Sequence, residues 1–247
     1  GRPSGMKGMK LDAKCLFVTS LEQHLNDLIA AVEDAGIEVT DTIASPIAAS
    51  LVTLTKAQKI AGCILANIGA ETVSIVVYEN NIPISLEVFP IGSRDITHDI
   101  ALGLKIDPEE AEQVKLGGII GTSYPKKKLE EIIDARLSDI FELIEAHLKK
   151  IGRNGLLPAG IIITGGGGSI ATIEELAKAA LKLPSKLGSL QVSGNQKHQF
   201  KDGSWSVAYG LCILGFNGGE VEEGMSGGRG TSIAWKSVIE WLRQFLP

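Results

Sequence analysis

Residues 160–168, Gly-Ile-Ile-Ile-Thr-Gly-Gly-Gly-Gly, constrain the fold more than any other stretch. The first part is a short β-branched apolar run, the pattern of a strand covered on both faces. It leads into four glycines, and a helical pattern follows over 170–181. A doubly covered strand, a backbone free of Cβ atoms and then a helix start describe an α/β layer. Such a turn lets a ligand approach the main chain: an anion facing the N–H groups, or a base or sugar stacked on bare backbone. A tight connection with no ligand has the same composition. No Walker lysine follows, so this is not a P-loop.

The chain before this turn supplies the rest of a sheet. Residues 63–68 and 72–79 read as strands joined by a tight Gly-containing turn, Asn80-Asn81 as a second turn, and 82–90 as a third strand. Three hairpin-linked strands make an antiparallel start. Helices are expected over 94–104, from Asp107-Pro108 to Gly117-Gly118, over 129–151 and over 204–214. The helical stretch between Ile91 and Pro158 reads as an insertion between sheet strands, giving an α/β domain that carries a helical subdomain. Earlier, 14–19 and 37–43 read as strands around a helix over 20–35, with Ser20 as N-cap, Leu21, Leu25, Leu28, Ile29 and Val32 as a buried stripe, and Gly36 closing it. Ser45-Pro46 opens a small-residue, buried helix to Leu54, capped by the serine and proline. Residues 186–201 are polar and have no readable phase.

Two further motifs bear on binding. Asn67-Ile68-Gly69-Ala70-Glu71-Thr72 ends one strand and starts the next. Its main-chain N–H groups suit a phosphate tail, although Glu71 repels phosphate unless it faces away; a plain hairpin turn is the other reading. Glu112 and Lys115 lie three apart on one helix face. A carboxylate accepts from sugar hydroxyls and a lysine packs along a base or donates to a sugar; a surface ion pair is the alternative.

With 24 basic and 29 acidic side chains the net charge is -5, which argues against a general nucleic-acid surface. The run Lys126-Lys127-Lys128 reads as a helix start with a solvated face. Cys15, Cys63 and Cys212 stand apart in apolar sequence, and four histidines are scattered, so neither a disulfide framework nor a metal site is expected. No run of 18 apolar residues occurs. Residues 231–247 follow a Gly-rich acidic tether, 217–230. Trp235, Val238, Ile239, Leu242, Phe245 and Leu246 recur on one helical face, Trp241 flanks it, and Lys236, Glu240 and Arg243 lie mostly elsewhere. The interfacial zone of a bilayer is the leading place for such a face; its own domain or a protein partner are the alternatives. With two cations the attraction to anionic lipid is weak, and firm residence needs several copies.

Taken in order, these motifs resemble FtsA, the actin-like bacterial cell-division family that tethers the division ring to the membrane. The resemblance spans nearly all of the chain. Its most specific stretch is Pro-Ile-Gly-Ser-Arg-Asp-Ile-Thr-His-Asp-Ile-Ala-Leu-Gly-Leu over 90–104, followed by Glu-Glu-Ala-Glu-Gln-Val-Lys over 109–115, with Ser-Pro-Ile-Ala-Ala-Ser over 45–50. It implies a partial actin-like (ribonuclease H-like) α/β fold. Residues 1–44 would end the domain inserted near the family's N-terminus, and 45–60 and 205–216 would belong to the first lobe. Residues 61–91 and 159–204 would form the core of the second lobe, 92–158 the helical subdomain, 217–230 a linker and 231–247 a membrane-targeting helix.

The resemblance places Asn67 and Gly69, Ala70, Glu71 and Thr72 at the family's second phosphate loop, Gly165, Gly166, Gly167 and Gly168 at its adenosine loop, and Glu112 and Lys115 at its ribose- and base-contacting pair. It implies ATP with magnesium as ligand, self-association into filaments, a tubulin-like ring protein as partner, and residence at the cytoplasmic face of the cell membrane. The family carries aspartates where Asn67 and Ser74 stand and glycines where Ala70 and Glu71 stand. Asn67 offers no carboxylate toward a metal-bound water, which implies nucleotide binding without efficient hydrolysis. The family's first phosphate hairpin has no counterpart before Cys63, so the chain is expected to hold half of a cleft, to bind nucleotide poorly and to associate through exposed apolar edges. A sugar-kinase-like protein or slow ATPase, and a pilus-assembly adaptor of the same fold, are the alternatives.

Overall fold

The computed structural model describes residues 7, 9, 10, 12–118, 124–190 and 202–216. In chain order the elements are α1 (Glu22–Asp34), α2 (Ser45–Thr53), α3 (Lys56–Ala61), β1 (Cys63–Ile68), β2 (Val73–Glu79), β3 (Ile82–Phe89), α4 (Ser93–Leu104), α5 (Pro108–Lys115), α6 (Lys126–Lys150), β4 (Ile161–Thr164), α7 (Ile173–Leu181), β5 (Ser185–Leu187) and α8 (Ser206–Phe216). Short 3-10 turns occupy Gly166–Ser169 and Gly203–Trp205.

The strands form one sheet of order β3-β2-β1-β4-β5. The β1–β2 and β2–β3 pairs are antiparallel, and β1–β4 and β4–β5 are parallel. Because side chains alternate across a pleated strand, each strand feeds two cores. Ile64, Ala66, Ile68, Val73, Ile75, Val77, Ile161 and Ile163 pack with Ile96, Ile100, Leu137, Phe141 and Ile144, so the helical insertion α4–α6 shares the core of the sheet on that face. Leu65, Val76, Tyr78 and Ile162 face the other way, onto Ala49 of α2 and Val207 of α8. The uniformly apolar β4 is thus covered on both faces. Ser50 Oγ lies 2.8 Å from Tyr78 Oη and ties α2 to β2. Helix α8 crosses α2 so closely that a Cβ on Gly210 would stand 1.9 Å from the Ala48 carbonyl oxygen.

Several sequence expectations are corrected. Residues 14–19 and 37–43 lie in no strand, and most of them are exposed. A strand forms only against a partner edge, and neither segment pairs with the described sheet. Helix α1 is present, but its N-cap is Leu21 and not Ser20, and it buries no residue; Leu21 is 68% and Leu28 64% exposed. Gly36 does close it, at φ +79°. In α2 the N-cap is Ala44 without a side-chain bond, so Ser45 is no cap, and Pro46 fills the first turn. Helix α3 has six residues, too few for a readable period, and is set by a capping box between Thr55 and Gln58. The three-residue β5 hides behind polar Lys186. Helix α7 begins at Ile173 rather than Ile170 because the glycines first make a 3-10 turn. Cys15 and Cys212 are exposed, whereas Cys63 is buried; burial, opposed by Lys59 and Lys186, pushes its thiol up to about 11.

Among the described residues no group of three His, Cys, Asp or Glu side chains could hold a metal, and no helix is long and apolar enough to cross a membrane. The tether 217–230 and the terminal segment with Trp235, Val238, Ile239, Trp241, Leu242, Phe245 and Leu246 lie outside the described residues, as does most of the phase-less stretch, 191–201.

Candidate functional site

Strand register brings the first two motifs together. Asn67 pairs with Ser74 across β1–β2 and with Thr164 across β1–β4, so the loop after β1 and the glycine turn after β4 leave the sheet side by side. Gly165 has φ +91°, and a Cβ there would stand 2.3 Å from the Ile68 carbonyl oxygen and 2.6 Å from Asn67 Oδ1. Only glycine meets both demands. Gly167 lies against the start of α4: its Cβ would come within 3.1 Å of Ser93 Cβ. The N–H of Gly168 donates to the Gly165 carbonyl at 3.1 Å, which closes the 3-10 turn. Gly166 is the open member, its nearest neighbour being Ser204 Cβ at 4.0 Å.

The loop Gly69–Ala70–Glu71–Thr72 is tied to α4. Its Gly69 N–H donates to the Thr72 carbonyl at 2.9 Å, and its Gly69 and Ala70 carbonyls accept from the Ser93 and Arg94 N–H groups at 2.9 and 2.8 Å. The Gly92 N–H in turn donates to Asp95 at 2.8 Å, an N-terminal cap. The α4 donors that could meet an anion are therefore partly spent on the loop. Among the described residues the Ala70 and Glu71 N–H groups have no acceptor. Glu71 turns to Arg94 and forms an ion pair, which neutralises the carboxylate that would otherwise repel phosphate.

Glu112 and Lys115 do meet, at 2.7 Å, and the Lys115 side chain is only 5% exposed. Its ammonium also donates to the Ser93 carbonyl at 3.1 Å and to Thr97 Oγ1 at 2.9 Å. All three donors are used, so this lysine braces α5 against α4, and a ligand reaches it only by displacing a partner or stacking on its stem. Glu112 also accepts from Thr97, through the same oxygen that meets Lys115, which leaves Oε1 outside these contacts. Burial raises the Glu112 carboxyl, but the bonds from Lys115 and Thr97 and the charges of Lys115 and Arg94 outweigh it, and the net shift is downward. It is a charged acceptor at neutral pH.

These groups line a cleft of about 570 Å³ bordered by Ala70, Ser93, Arg94, Thr97, His98, Glu112, Gln113 and Lys115. A second hollow of about 350 Å³ flanks the glycine turn, between Gly165, Gly166, Asp202 and Gly203. Ser93, Arg94 and Thr97 were not singled out in the sequence as site residues; the signal was their place at the start of a capped helix directly after β3. The anion role expected for the N-terminus after the glycines is corrected: α7 starts five residues beyond Gly168, and its first turn carries Glu174 and Glu175. The cleft offers Glu112 Oε1 to ligand hydroxyls and Arg94, paired with Glu71, to an anion that displaces that carboxylate, while the glycine turn presents bare backbone in the neighbouring hollow.

The sheet order, the two helical layers and the glycine turn after β4 define an actin-like fold. The structure aligns with a chain of the "PilM-PilN type IV pilus biogenesis complex" at a TM-score of 0.64 and 20% identity, over 77% of this chain and 57% of that one. It aligns with "MreB5 of Spiroplasma citri bound to ADP" at 0.64 and 17% identity, over 79% of this chain and 65% of that one. The sequence profile described as "Cell division protein FtsA" matches residues 64–210. Cell division protein FtsA of Bacillus subtilis is 32% identical over 222 residues, 81% of this chain and 50% of the relative. FtsA of Pseudomonas aeruginosa is 28% identical over 245 residues, 91% of this chain and 58% of the relative. The chain belongs to the FtsA family, and it spans about half the length of these relatives.

Proposed function

We propose that the chain is an actin-like cell-division adaptor: it holds an adenine nucleotide in the α4–α5 cleft, associates with copies of itself and with a tubulin-like ring protein, and reaches the cytoplasmic face of the cell membrane through residues 231–247. One observation carries this reading. Every residue that lines the cleft, from Ala70 to Lys115, falls inside the stretch that the family profile matches, as do Asn67 and the glycine turn of the neighbouring hollow. The lobe boundaries given above belong to the same proposal, as does the ribonuclease H-like character of the sheet, which its order with an antiparallel β2 supports.

The residues present fit a nucleotide better than they fit a metal cage. Glu112 and the open backbone at Gly166 suit ribose and base, and the free N–H groups of Ala70 and Glu71 suit phosphate, with Arg94 joining them where phosphate displaces its Glu71 partner. Magnesium prefers charged oxygens, and the strand ends offer Asn67, Thr72 and Ser74 instead. An Mg–ATP pair would be held mainly through the nucleotide, with no carboxylate at Asn67 to orient water. We therefore read the nucleotide as a structural ligand rather than a substrate turned over at speed.

Liposome sedimentation tests the membrane role. The full chain should sediment with vesicles of phosphatidylglycerol and phosphatidylcholine, and a chain lacking 235–247 should stay in the supernatant. Equal sedimentation of the two removes the terminal segment from the proposal. ADP titration by calorimetry tests the cleft separately.

A further inference from the structure

The anion end of the cleft carries its own carboxylate. Arg94 and Lys115 are the lysine and arginine side chains that line the cleft, and Glu109 and Glu112 are its acids. Lys115 is spent on Glu112 and on α4. The Ser93 and Arg94 N–H groups are spent on the Gly69 and Ala70 carbonyls. Asp95, in the first turn of α4, takes the Gly92 N–H and adds a negative charge at that helix start. The Arg94 guanidinium is thus the lining cation left for an anion, and it is paired with Glu71. Both partners stand largely in water, Arg94 58% and Glu71 69% exposed.

The position of Glu71 gives that pair its consequence. The N–H groups of Ala70 and Glu71 are the free donors of the loop, so the carboxylate belongs to a residue against which a phosphate would settle. A phosphate drawn to Arg94 has two courses. It displaces the carboxylate, which breaks the ion pair and leaves a bare negative charge beside the ligand, or it shares the guanidinium and keeps the carboxylate as a neighbour. Either course costs affinity, and the cost grows with the charge of the ligand. Arg94 also acts through space on Glu112, so an incoming phosphate competes with two carboxylates for one guanidinium. A nucleoside without phosphate meets neither cost.

We propose that Glu71 is a specificity residue of the cleft: by holding Arg94 it sets a cost on phosphate charge, so that an adenine nucleoside or its monophosphate fits as well as the di- and triphosphates do. Phosphate groups then add little affinity of their own, and ligands are told apart by base and sugar. This deepens the reading of the α4–α5 cleft as an adenine-nucleotide site and rests on it.

Ligand-observed NMR titrations of the full chain with adenosine, AMP and ADP test this. His98 also lines the cleft, so they belong at about pH 8, where ordinary histidines are neutral. The quantity read is the ratio of ADP affinity to adenosine affinity. Glu71→Gln should raise it about fivefold, the upper end of what an exposed ion pair is worth, and AMP should gain less than ADP. Glu71→Ala should do the same, because charge and not side-chain shape is at issue; both changes fall at an exposed loop position, where the fold is tolerant. Sodium chloride at about 1 M, which shortens the screening length to about 3 Å, should bring the three ratios together. An unchanged ratio in both variants, with adenosine and ADP still bound, overturns the proposal and leaves the nucleotide reading in place. A rise that is equal at low and high salt overturns it too, since the residue then acts through the shape of the loop. Failure of all three proteins to bind any of the ligands overturns the nucleotide reading, and the proposal with it.

Discussion

At the residue scale, Gly166 and His147 give the sharpest expectations. Gly166 is the glycine of its turn with open space at the Cβ position, so Gly166→Val leaves the fold intact and puts an isopropyl group into the hollow. Its affinity for ADP should drop about tenfold, a loss of about 1.4 kcal/mol, and an unaltered affinity by calorimetry would remove the glycine turn from the site. His147 is 7% exposed on α6, with Nε2 2.8 Å from Ser85 Oγ and Nδ1 3.4 Å from Glu87 on β3, and with Phe89 edge-on to its ring. Burial, aided by Lys150 and opposed by Glu87, holds its pKa below the ordinary 6.5. The folded state therefore binds this proton less readily than the unfolded chain does. The stabilising contribution is complete above pH 6.5 and is lost as pH falls from there through the folded-state value. Urea midpoints should fall over this range, and the His147→Gln variant should flatten that part of the slope.

At the element scale, α8 yields two substitutions of opposite sign. Gly210→Ala forces α8 off the Ala48 carbonyl and should cost about 1–3 kcal/mol, the range for overpacking. Gly215→Ala meets nothing within 4 Å and should gain up to about 1 kcal/mol from helix propensity. Thermal melts of both variants check the pair. The same elements show what was readable from the sequence. The three hairpin strands, the buried β4 and the helices α4, α5 and α6 were legible because each carries either a helical period or an unbroken apolar run, with turn residues beside it. Helix α3 and β5 were not, having six and three residues. Residues 14–19 and 37–43 carry strand composition, but pairing is a property of the partner edge and not of the segment. At the site, the meeting of Glu112 and Lys115 was legible from their spacing. That Lys115 spends all its donors on α4 was not, because Ser93 and Thr97 reach it through the packing of two helices.

At the scale of the whole molecule, the cleft is open on one side. Deep ligand sites cover most of a ligand's surface, and a cleft built by one sheet and its insertion covers less, so ATP should bind with a dissociation constant of about a millimolar. Steady-state hydrolysis should stay near background. A rate above about 1 per second, within the range of ordinary enzymes, would overturn the reading of the nucleotide as a structural ligand. The hydrogen bonds from Ser93 and Arg94 to Gly69 and Ala70 also make the β1–β2 loop and α4 a single lever. The same helix carries Asp99, which accepts from Arg136 Nε of α6 at 2.7 Å. The mouth of the cleft is thereby joined, through one loop and one ion pair, to the longest of the described helices.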